Sequence, residues 1–388
     1  MKTLIELYDE RPIENVLASE VFRPERTVFL CPPDVAQSKA VQGKLKEYFR
    51  RKGLSTEVIF MESSMYNSEK LQKQMEGILE KYPDCTLDIT GGTDAALFAG
   101  GMVSERSGLP TFTYSRRRGR FFNIRNAAFA EDVACEVAHT VEDCFLMAGG
   151  ALRQGRVDNA ILDGYSDLYA PFFGLYLKYR AQWSRIVGYI QRASQGEKGV
   201  ISLSVRAPYI VKGERGMKYA APENALRDFE KLNMISGLSV KDGQVSFQFR
   251  DTQIRTWLRD MGSVLELYIY KCCRDCGTFG DVRTSAVVDW EGDFRQDNVT
   301  NEIDVMAMQG IIPVFISCKT CAITTEALNE LAILRDRFGG QMAKAAIVTS
   351  QQCRSITRNR ASELDIEVID LSDLKSGRTT ERIRSLLT

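Results

Sequence analysis

Two carboxylates and a lysine interrupt the apolar runs of residues 301–320, NEIDVMAMQGIIPVFISCKT. Glu302 and Asp304 come just before one apolar stretch, and Lys319 ends the next. Charged side chains are almost never buried unless they are paired or bind a metal. Carboxylate oxygens suit Mg²⁺ or Mn²⁺, and a lysine beside such a metal can stabilise the transition state of a phosphate reaction. The segment therefore predicts a metal-dependent site, with a plain salt bridge as the alternative.

A hairpin would bring these charges together. A two-residue turn at 309–310 places Asp304 opposite Phe315 and Glu302 opposite Ser317. Because side chains alternate along a strand, the charged residues fall on one face. The side chains expected on that face are Glu302, Asp304, Met306, Met308, Ser317 and Lys319.

The segment before the hairpin offers a further carboxylate. Residues 252–276, TQIRTWLRDMGSVLELYIYKCCRDC, predict one helix because apolar residues recur at helical spacing. Glu266 is the lone acid in its apolar part, GSVLELYIY. It would face either solvent or the site on the hairpin, where it could add a metal ligand.

Histidine and cysteine content limits the alternatives. The single histidine, His139, excludes zinc sites with two histidines and multi-histidine iron sites. Its surroundings, EDVACEVAHTVEDC, predict a position on a helix surface rather than a catalytic base. Five of the ten cysteines have spacing that a zinc site could use: Cys272, Cys273, Cys276, Cys318 and Cys321. The alternative is that Cys272 and Cys273 end a helix while Cys318 packs inside a strand.

A second candidate site lies at the glycine loop in LDITGGTDAA, residues 87–96. Thr90 to Thr93 follow a buried strand and precede a helix. Two glycines let a ligand approach the backbone, and the helix N-terminus favours an anion. A helix cap at Thr93 or Asp94 explains the same residues. The loop lies at the carboxyl end of an interior strand, where open sheets bind ligands.

Three elements of organisation position these sites. Strand and helix signals alternate over the first 125 residues and predict a parallel, Rossmann-like sheet closed by an aromatic hairpin around Arg116–Gly119. The arginines of that turn suit either solvent or phosphate. Residues 127–196 predict helices, and 200–250 predict a winged-helix-like module with a hairpin at 241–243. From 252 the order is helix, three strands (282–288, 299–308 and 312–319), a helix over 324–338, and then strand, helix and strand.

Composition places the chain among globular proteins. Hydrophobic residues make up 44% of its 388 residues, and the formal net charge is zero, which excludes a strongly basic nucleic-acid coat. We expect a cytoplasmic protein without membrane contact, because no long apolar span or signal peptide is seen.

With these motifs in place, the C-terminal part resembles the PD-(D/E)xK nuclease core through GSVLELYIY, NEIDV, PVFISCK and FGG. The N-terminal sheet with DITGGT resembles a CARF domain, the sensor of cyclic oligoadenylates in type III CRISPR defence. Together they resemble the CRISPR ancillary nucleases over nearly the full length. The resemblance implies an α/β chain with a CARF domain at 1–126, a helical and winged-helix-like segment at 127–250, and a restriction-endonuclease-like αβββαβ domain at 251–388.

The resemblance also implies an activity. A homodimer would bind one cyclic oligoadenylate, expected to be cyclic tetra-adenylate, and would then cut DNA, RNA or both with Mn²⁺ or Mg²⁺. Asp304 matches the metal-binding acid of the motif and Lys319 its lysine. The ligand contacts expected by resemblance are Asp9, Arg11, Pro12, Asn15, Pro32, Thr90, Gly91, Gly92, Thr93, Asp94 and Arg116. Some CARF domains also degrade their activator, and the sequence leaves this open.

One residue departs from the family pattern. Ser317 stands two residues before Lys319, where the motif has an acid. Either Glu302 or Glu266 supplies the missing charge, and the predicted pairing favours Glu302. The alternative is a ligand-binding sensor or transcription regulator with a degenerate nuclease core.

Overall fold

The alternating strand and helix signals of the N-terminal part fold into a seven-stranded sheet. The computed structural model describes residues 2–10, 13–153, 159–195, 201–213, 216–293, 295 and 297–387. The strands of this sheet are β1 (Thr3–Leu7), β2 (Arg26–Cys31), β3 (Glu57–Glu62), β4 (Cys85–Asp88), β5 (Thr111–Ser115), β6 (Arg120–Arg125) and β7 (Val133–Ala134). The helices are α1 (Glu14–Phe22), α2 (Pro33–Gln37), α3 (Lys39–Arg51), α4 (Ser68–Lys81) and α5 (Asp94–Ser107).

The strand order of this sheet is β3-β2-β1-β4-β5-β6-β7, and the first five strands are parallel. The chain leaves β1 toward β2 on one side and returns at β4 on the other. The loops after β1 and β4 therefore diverge at a topological switch point, where α/β sheets bind ligands. The predicted Rossmann-like alternation and the closing β5–β6 hairpin are confirmed.

The middle of the chain contributes to several sheets. Its elements are α6 (Val141–Met147), β8 (Ala151–Arg153), α7 (Asn159–Asp163), α8 (Ser166–Tyr179), α9 (Trp183–Ala193), β9 (Ser204–Pro208), β10 (Ile210–Lys212), β11 (Lys218–Ala220), α10 (Glu223–Lys231), β12 (Ile235–Lys241) and β13 (Gln244–Phe249). Short 3₁₀ turns lie at Ala128–Ala130 and Arg180–Gln182. The β12–β13 hairpin turns at Asp242 and Gly243, which both have positive φ, as the Asp-Gly signal predicts.

The C-terminal part forms a six-stranded sheet of order β18-β17-β16-β15-β14-β8. Its elements are α11 (Thr252–Leu258), α12 (Ser263–Asp275), β14 (Asp281–Asp289), β15 (Thr300–Gln309), β16 (Ile312–Lys319), α13 (Thr325–Gly339), β17 (Lys344–Thr349), α14 (Ser355–Glu363), β18 (Ile366–Ile369), α15 (Leu371–Ser376) and α16 (Thr379–Ser385). The prediction of one helix over 252–276 is wrong, because the chain breaks between α11 and α12. The edge strand β8 comes from the segment expected to be a linker. The domain boundaries at 126 and 250 stay a prediction.

Two apolar layers cover this second sheet. One face packs against α8, α11 and α12 through a core that includes Val305 and Ile316. The other face packs against α6 and α13 through a core that includes Met306 and Phe315. Among the described residues, every helix falls short of the length and apolar character that a membrane span requires.

Candidate functional site

The β15–β16 hairpin gathers the predicted charges, but in a register that differs from the prediction. Gln309 pairs with Ile312, so the turn is Gly310-Ile311 and not Gln309-Gly310. Gly310 has φ 55°, which suits the first central position of a tight hairpin turn. Every pair is therefore shifted by two residues. Asp304 lies across from Ser317, and the expected pairing of Glu302 with Ser317 is wrong.

Asp304 is held by the strand opposite. Its Oδ2 accepts a hydrogen bond from the backbone N–H of Cys318 at 2.6 Å and one from the hydroxyl of Ser317 at 3.1 Å. The ammonium of Lys319 lies 3.8 Å from the same oxygen. Burial raises the pKa of Asp304, while the Cys318 N–H and the charge of Lys319 oppose the rise. The carboxylate is thus fixed through Oδ2. Among the described residues, no hydrogen bond to its Oδ1 is seen.

The alternation of side chains breaks at Asp304. Ile303 and Met306 pack in the same apolar core, which strict alternation along a strand forbids. Val305 and Ala307 pack on the other face. The ladder between β14 and β15 skips Asp304 and its opposite residue Ser285, which has φ 50°. Asp304 lines a cavity together with Leu331 and Leu334 of α13, which pack in the core that contains Met306, so the common face of Asp304 and Met306 stays a prediction.

Glu266 approaches the site from the first turn of α12. The break between α11 and α12 gives it room, since a Cβ at Gly262 would stand 2.5 Å from Oε1 of Glu266. Burial, followed by the negative charges of Asp304, Asp260 and Glu302, raises the pKa of Glu266 to about 8. Of the two orientations predicted for Glu266, the structure selects the one that faces the hairpin.

A small cavity of about 60 Å³ joins the hairpin to α13. Its lining includes Glu302, Asp304, Ser317, Lys319 and Glu330. Glu330 accepts a hydrogen bond from Asn301 at 2.9 Å, and sequence reasoning missed it because it lies on an ordinary amphipathic helix. Glu302 is exposed at the cavity edge, so it can stand near a metal without directly replacing the acid at Ser317.

The donor set suits a hard divalent cation. Two mostly buried carboxyl groups, Glu266 and Asp304, both have raised pKa values and repel each other. A cation would relieve this repulsion, and Mg²⁺ is commonly held by one or two carboxylates together with substrate phosphates and water. Within the described ranges no group of three His, Cys, Asp or Glu side chains is placed to hold a metal by itself. The fit is therefore to an open site that substrate completes.

The cysteines and the histidine have structural surroundings. Cys272 and Cys273 lie in the last turns of α12, and Cys318 is buried in β16, as the packing alternative predicts. Cys321 is exposed on the loop that follows β16. The prediction for His139 is wrong, since it is buried outside any helix, where its ring contacts Tyr48 at 2.7 Å and Glu20 at 2.9 Å. Helical periodicity cannot detect such a buried polar cluster.

The glycine loop packs against the end of β1. The carboxylate of Asp9 accepts the N–H of Gly92 at 3.0 Å. Asn15 fixes Asp9 through two backbone hydrogen bonds of 2.8 Å each. A Cβ at Gly91 would stand 2.8 Å from the Cβ of Asp9, and Gly92 has φ 101°. The two glycines thus permit a contact between the loops after β1 and β4 that other residues would obstruct.

The threonines of this loop have local roles. Thr90 accepts the N–H of Tyr114 at 2.8 Å, which fixes the loop to β5. Thr93 caps α5, accepting the N–H of Ala96 at 3.3 Å, and Asp94 is the first residue of that helix. The helix-cap explanation therefore holds for Thr93 and not for Asp94.

A cavity of about 610 Å³ opens beside the loop. Tyr8, Asp9, Glu10, Pro32, Asp34, Met65, Tyr66, Gly92, Thr93 and Asp336 line it. Five of the expected contacts do not appear in this lining: Asn15, Thr90, Gly91, Asp94 and Arg116. Arg11 and Pro12 lie outside the described residues. Asp336 belongs to α13, so a helix that packs on the second sheet reaches this cavity.

Arg116 is bound elsewhere. It pairs with the buried carboxylate of Glu14 and donates to the side chain of Gln341 at 2.7 Å. Among the described residues that line the cavity beside the glycine loop, Arg116 is absent. Its position instead connects the first sheet to the loop after α13.

Two buried acids lie beneath the loop, and sequence reasoning missed both. Glu6 on β1 pairs in register with Asp88 on β4. Burial raises the pKa of Glu6 far above its ordinary value and that of Asp88 to about 7. Both oxygens of Glu6 are buried without a hydrogen-bond partner among the described residues. The sequence signal that could have revealed them is an acidic residue inside each of two otherwise apolar, buried strands.

Comparison with known proteins gives one match to the C-terminal part and several to the whole fold. The family model for the Card1-like endonuclease domain matches residues 253–386, which confirms the expectation of an endonuclease domain in this part of the chain. No curated protein matches the chain. Protein VC1899 from Vibrio cholerae has a similar structure, with TM-score 0.76 and 16% identity over 99% of this chain and 98% of that one.

Two further structures share the fold. Can2 from Sulfobacillus thermosulfidooxidans, solved in complex with cyclic tetra-adenylate, gives TM-score 0.71 and 18% identity over 100% of both chains. A type III CRISPR defence DNA nuclease activated by cyclic oligoadenylate gives TM-score 0.50 and 14% identity, over 97% of this chain and 51% of that one. At these identities the likeness establishes the shared fold, and the endonuclease match establishes the kind of C-terminal domain.

Proposed function

We propose that this protein is a cyclic oligoadenylate-activated, metal-dependent nuclease of type III CRISPR defence. The observation that carries the proposal is the convergence of Glu266, Asp304 and Lys319 at one end of the β15–β16 hairpin, within the segment that matches an endonuclease family. The first sheet supplies a separate cavity at its switch point, where a ligand would bind.

Hydrolysis would proceed at the Asp304 end of the hairpin. Mn²⁺ or Mg²⁺, held by Asp304 and Glu266 with Glu302 nearby, would offset phosphate charge and lower the pKa of a bound water. Lys319 would orient that water or donate to the developing charge on the phosphate. Ser317 and the Cys318 N–H keep Asp304 in position throughout. Water would add to phosphorus as the bond between phosphorus and the leaving oxygen breaks, and the proton that the water loses would pass to solvent, which would protonate the leaving oxygen.

The sensor cavity would take cyclic tetra-adenylate. The start of α5, which follows the glycine loop, suits phosphate oxygens because a helix N-terminus carries partial positive charge. The carboxylates of Asp9, Asp34 and Asp336 suit the amino groups of adenine or ribose hydroxyls, which donate hydrogen bonds. We therefore place the phosphates toward the loop and the nucleosides toward the acidic wall.

Two physical connections support activation at a distance. Ile311, at the tip of the catalytic hairpin, packs in the core of the first sheet with Phe112 and Phe121. The carbonyl of Gly310 accepts the N–H of His139 at 2.9 Å. Helix α13 lines the nuclease cavity near its start and the ligand cavity at Asp336. Ligand binding would thus bear on both elements that frame the catalytic residues.

The active form would be a cytoplasmic homodimer. Phe98 and Met102 lie one turn apart on α5, the helix that begins at the ligand loop, and both side chains are exposed. A second copy docking on this face would place two ligand loops together around one cyclic molecule. The mass of the protein in solution, measured with and without cyclic tetra-adenylate, tests this part.

The test of the nuclease is direct. The full-length protein should cleave plasmid DNA or single-stranded RNA in Mn²⁺ faster when cyclic tetra-adenylate is added. Asp304→Ala and Lys319→Ala should abolish cleavage and leave ligand binding intact. Glu363→Ala and Lys375→Ala, at exposed positions on α14 and α15, are matched controls. Cleavage that ignores the ligand, or that survives both catalytic substitutions, would contradict the proposal.

A second candidate function rests on Ser317. A sensor or transcription regulator with a decayed nuclease core would also carry a non-acidic residue at this position. Such a protein would bind DNA through the module of α10, β12 and β13, and a gel shift without cleavage would favour it.

A further inference from the structure

A further polar cavity lies close to Glu266, and the proposed hydrolysis assigns it no role. Its volume is about 400 Å³, and it lies between α9 and the segment from α11 to α12. Its lining is Gln191, Arg192, Gln195, Thr256, Arg259 and Asp260. Among the described residues, the wall carries two guanidinium groups, one carboxylate and otherwise neutral hydrogen-bonding side chains.

Arg259 is fixed at the back of this cavity. Its carbonyl accepts a hydrogen bond from the Gln191 side chain at 2.6 Å, so the two walls are joined. Its Nε is buried without a hydrogen-bond partner among the described residues. Burial and the charge of Arg255 lower the pKa of Arg259. The buried Nε is out of reach of a ligand, but the terminal N–H groups of the same guanidinium can donate to an anion in the cavity.

Asp260 connects the cavity to the catalytic acids. Its Oδ2 accepts the N–H groups of Gly262 at 2.9 Å and Ser263 at 2.7 Å, which shapes the start of α12. A Cβ at Gly262 would stand 3.5 Å from that oxygen and 2.5 Å from Oε1 of Glu266. Asp260, which lines the cavity, therefore lies close to Glu266.

We propose that this cavity, through Arg192 and Arg259, binds a backbone phosphate of the nucleic-acid strand that enters the catalytic site. The inference rests on the proposed nuclease function and adds the substrate path to it. Guanidinium forks match phosphate oxygens and do not read bases, so the contact would position a strand of any sequence. The middle segment, through α9, would thereby take part in substrate binding.

The experiment measures binding and cleavage separately. An Asp304→Asn background keeps a fluorescein-labelled single-stranded RNA and a DNA duplex intact, and anisotropy then reports affinity in Mn²⁺ with cyclic tetra-adenylate. Arg192→Ala and Arg259→Ala should each weaken binding about tenfold. Each should also reduce the steepness of the salt dependence by about 0.7 for the single strand and about 0.9 for the duplex. In the active protein both should raise KM and leave kcat near the wild-type value.

Two further variants guard against a folding artefact. Gln195→Glu adds a negative charge at an exposed cavity position and should weaken binding with an unchanged Tm. Arg227→Ala removes an exposed arginine on α10, away from the cavity, and should have no effect. If the cavity variants all bind like Arg227→Ala while the wild type cleaves, the inference is overturned and the nuclease proposal stands. If the wild type neither binds nor cleaves, both fall.

Discussion

The hydroxyl of Ser317 donates a hydrogen bond of 3.1 Å to Oδ2 of Asp304. The residue that departs from the nuclease motif is therefore in direct contact with the residue that carries it. A serine here adds a donor to the acid, where an aspartate would add a second negative charge. With serine at this position, the site offers less negative charge to a metal ion. Without a metal, Asp304 also experiences less repulsion from a neighbouring carboxylate.

Ser317→Asp should lower the stability of the metal-free protein and increase the stabilisation that Mn²⁺ provides. The new carboxylate would face Asp304 across the hairpin, so the metal-free protein should lose roughly 1–3 kcal/mol of unfolding free energy. Mn²⁺ should then raise the Tm of the variant more than that of the wild type, because it binds two opposed acids. Thermal unfolding with and without Mn²⁺ measures both effects.

Ser317→Ala is the matched control for that substitution. It removes one hydrogen bond and adds no charge, so the expected loss is about 1 kcal/mol with no new response to Mn²⁺. An Asp variant that responds to Mn²⁺ no more than the Ala variant would show that no metal lies at Asp304.

Gly262→Ala should remove activity by displacing Glu266. The backbone of Gly262 has φ −89°, which alanine accepts, but its Cβ would lie 2.5 Å from Oε1 of Glu266. Cleavage should fall at least tenfold, close to the value for Glu266→Gln. Gly280→Ala, where a Cβ meets open space, should cleave normally. Normal cleavage by Gly262→Ala would remove Glu266 from the metal site.

Cleavage in limiting Mn²⁺ should rise with pH as Glu266 ionises. The pKa of Glu266 is about 8, raised mainly by burial from an ordinary value of 4.5. Between these values the folded protein holds a proton that the unfolded chain has lost, so this group's contribution to stability falls as pH rises. Glu266→Gln should flatten both profiles, measured as cleavage rate and as unfolding free energy. The acids whose pKa values burial also raises, among them Asp304, Glu6 and Asp88, would contribute to the slope that remains in the unfolding free energy. Unchanged profiles in the variant would contradict the assignment.

Gly91→Ala should weaken ligand binding without changing the catalytic end. Its Cβ would lie 2.8 Å from the Cβ of Asp9 and would push the loops after β1 and β4 apart. Calorimetry with cyclic tetra-adenylate should give a Kd about tenfold higher. Gly77→Ala, at an exposed position of α4 where a Cβ meets open space, is the control and should bind like the wild type. Equal affinities would place the ligand elsewhere.

Ile311→Ala should loosen the connection between the two sheets. The side chain is buried in the core of the first sheet, so the substitution should cost roughly 2–4 kcal/mol. Ligand binding should persist while the ratio of cleavage rates with and without cyclic tetra-adenylate falls. Ile333→Ala, at an exposed position of α13, should keep that ratio. An unchanged ratio in Ile311→Ala would exclude the hairpin tip as the link.

Sequence reasoning correctly predicted that residues 301–319 form a hairpin. The strand register that it predicted is wrong by two residues. Strand alternation predicts which charges share a face, and a shift of two residues preserves that parity, so the cluster formed despite the wrong turn. The turn itself depended on whether Gly310 takes the first or second central position. The apolar pattern does not distinguish these, because Ile311 looks like a strand residue and in fact packs into the other sheet.

What the sequence by itself determined was most of the strands and helices and the candidate residues for the site. Asp304, Lys319 and the glycine loop follow from residue type, strand period and turn chemistry, all of which are local. The tertiary structure alone decided that Ser317 serves Asp304, that Gly262 admits Glu266 and that burial brings the pKa of Glu266 to about 8. These depend on which surfaces exclude water and which strands lie opposite each other, and both are fixed by contacts between residues far apart in the chain.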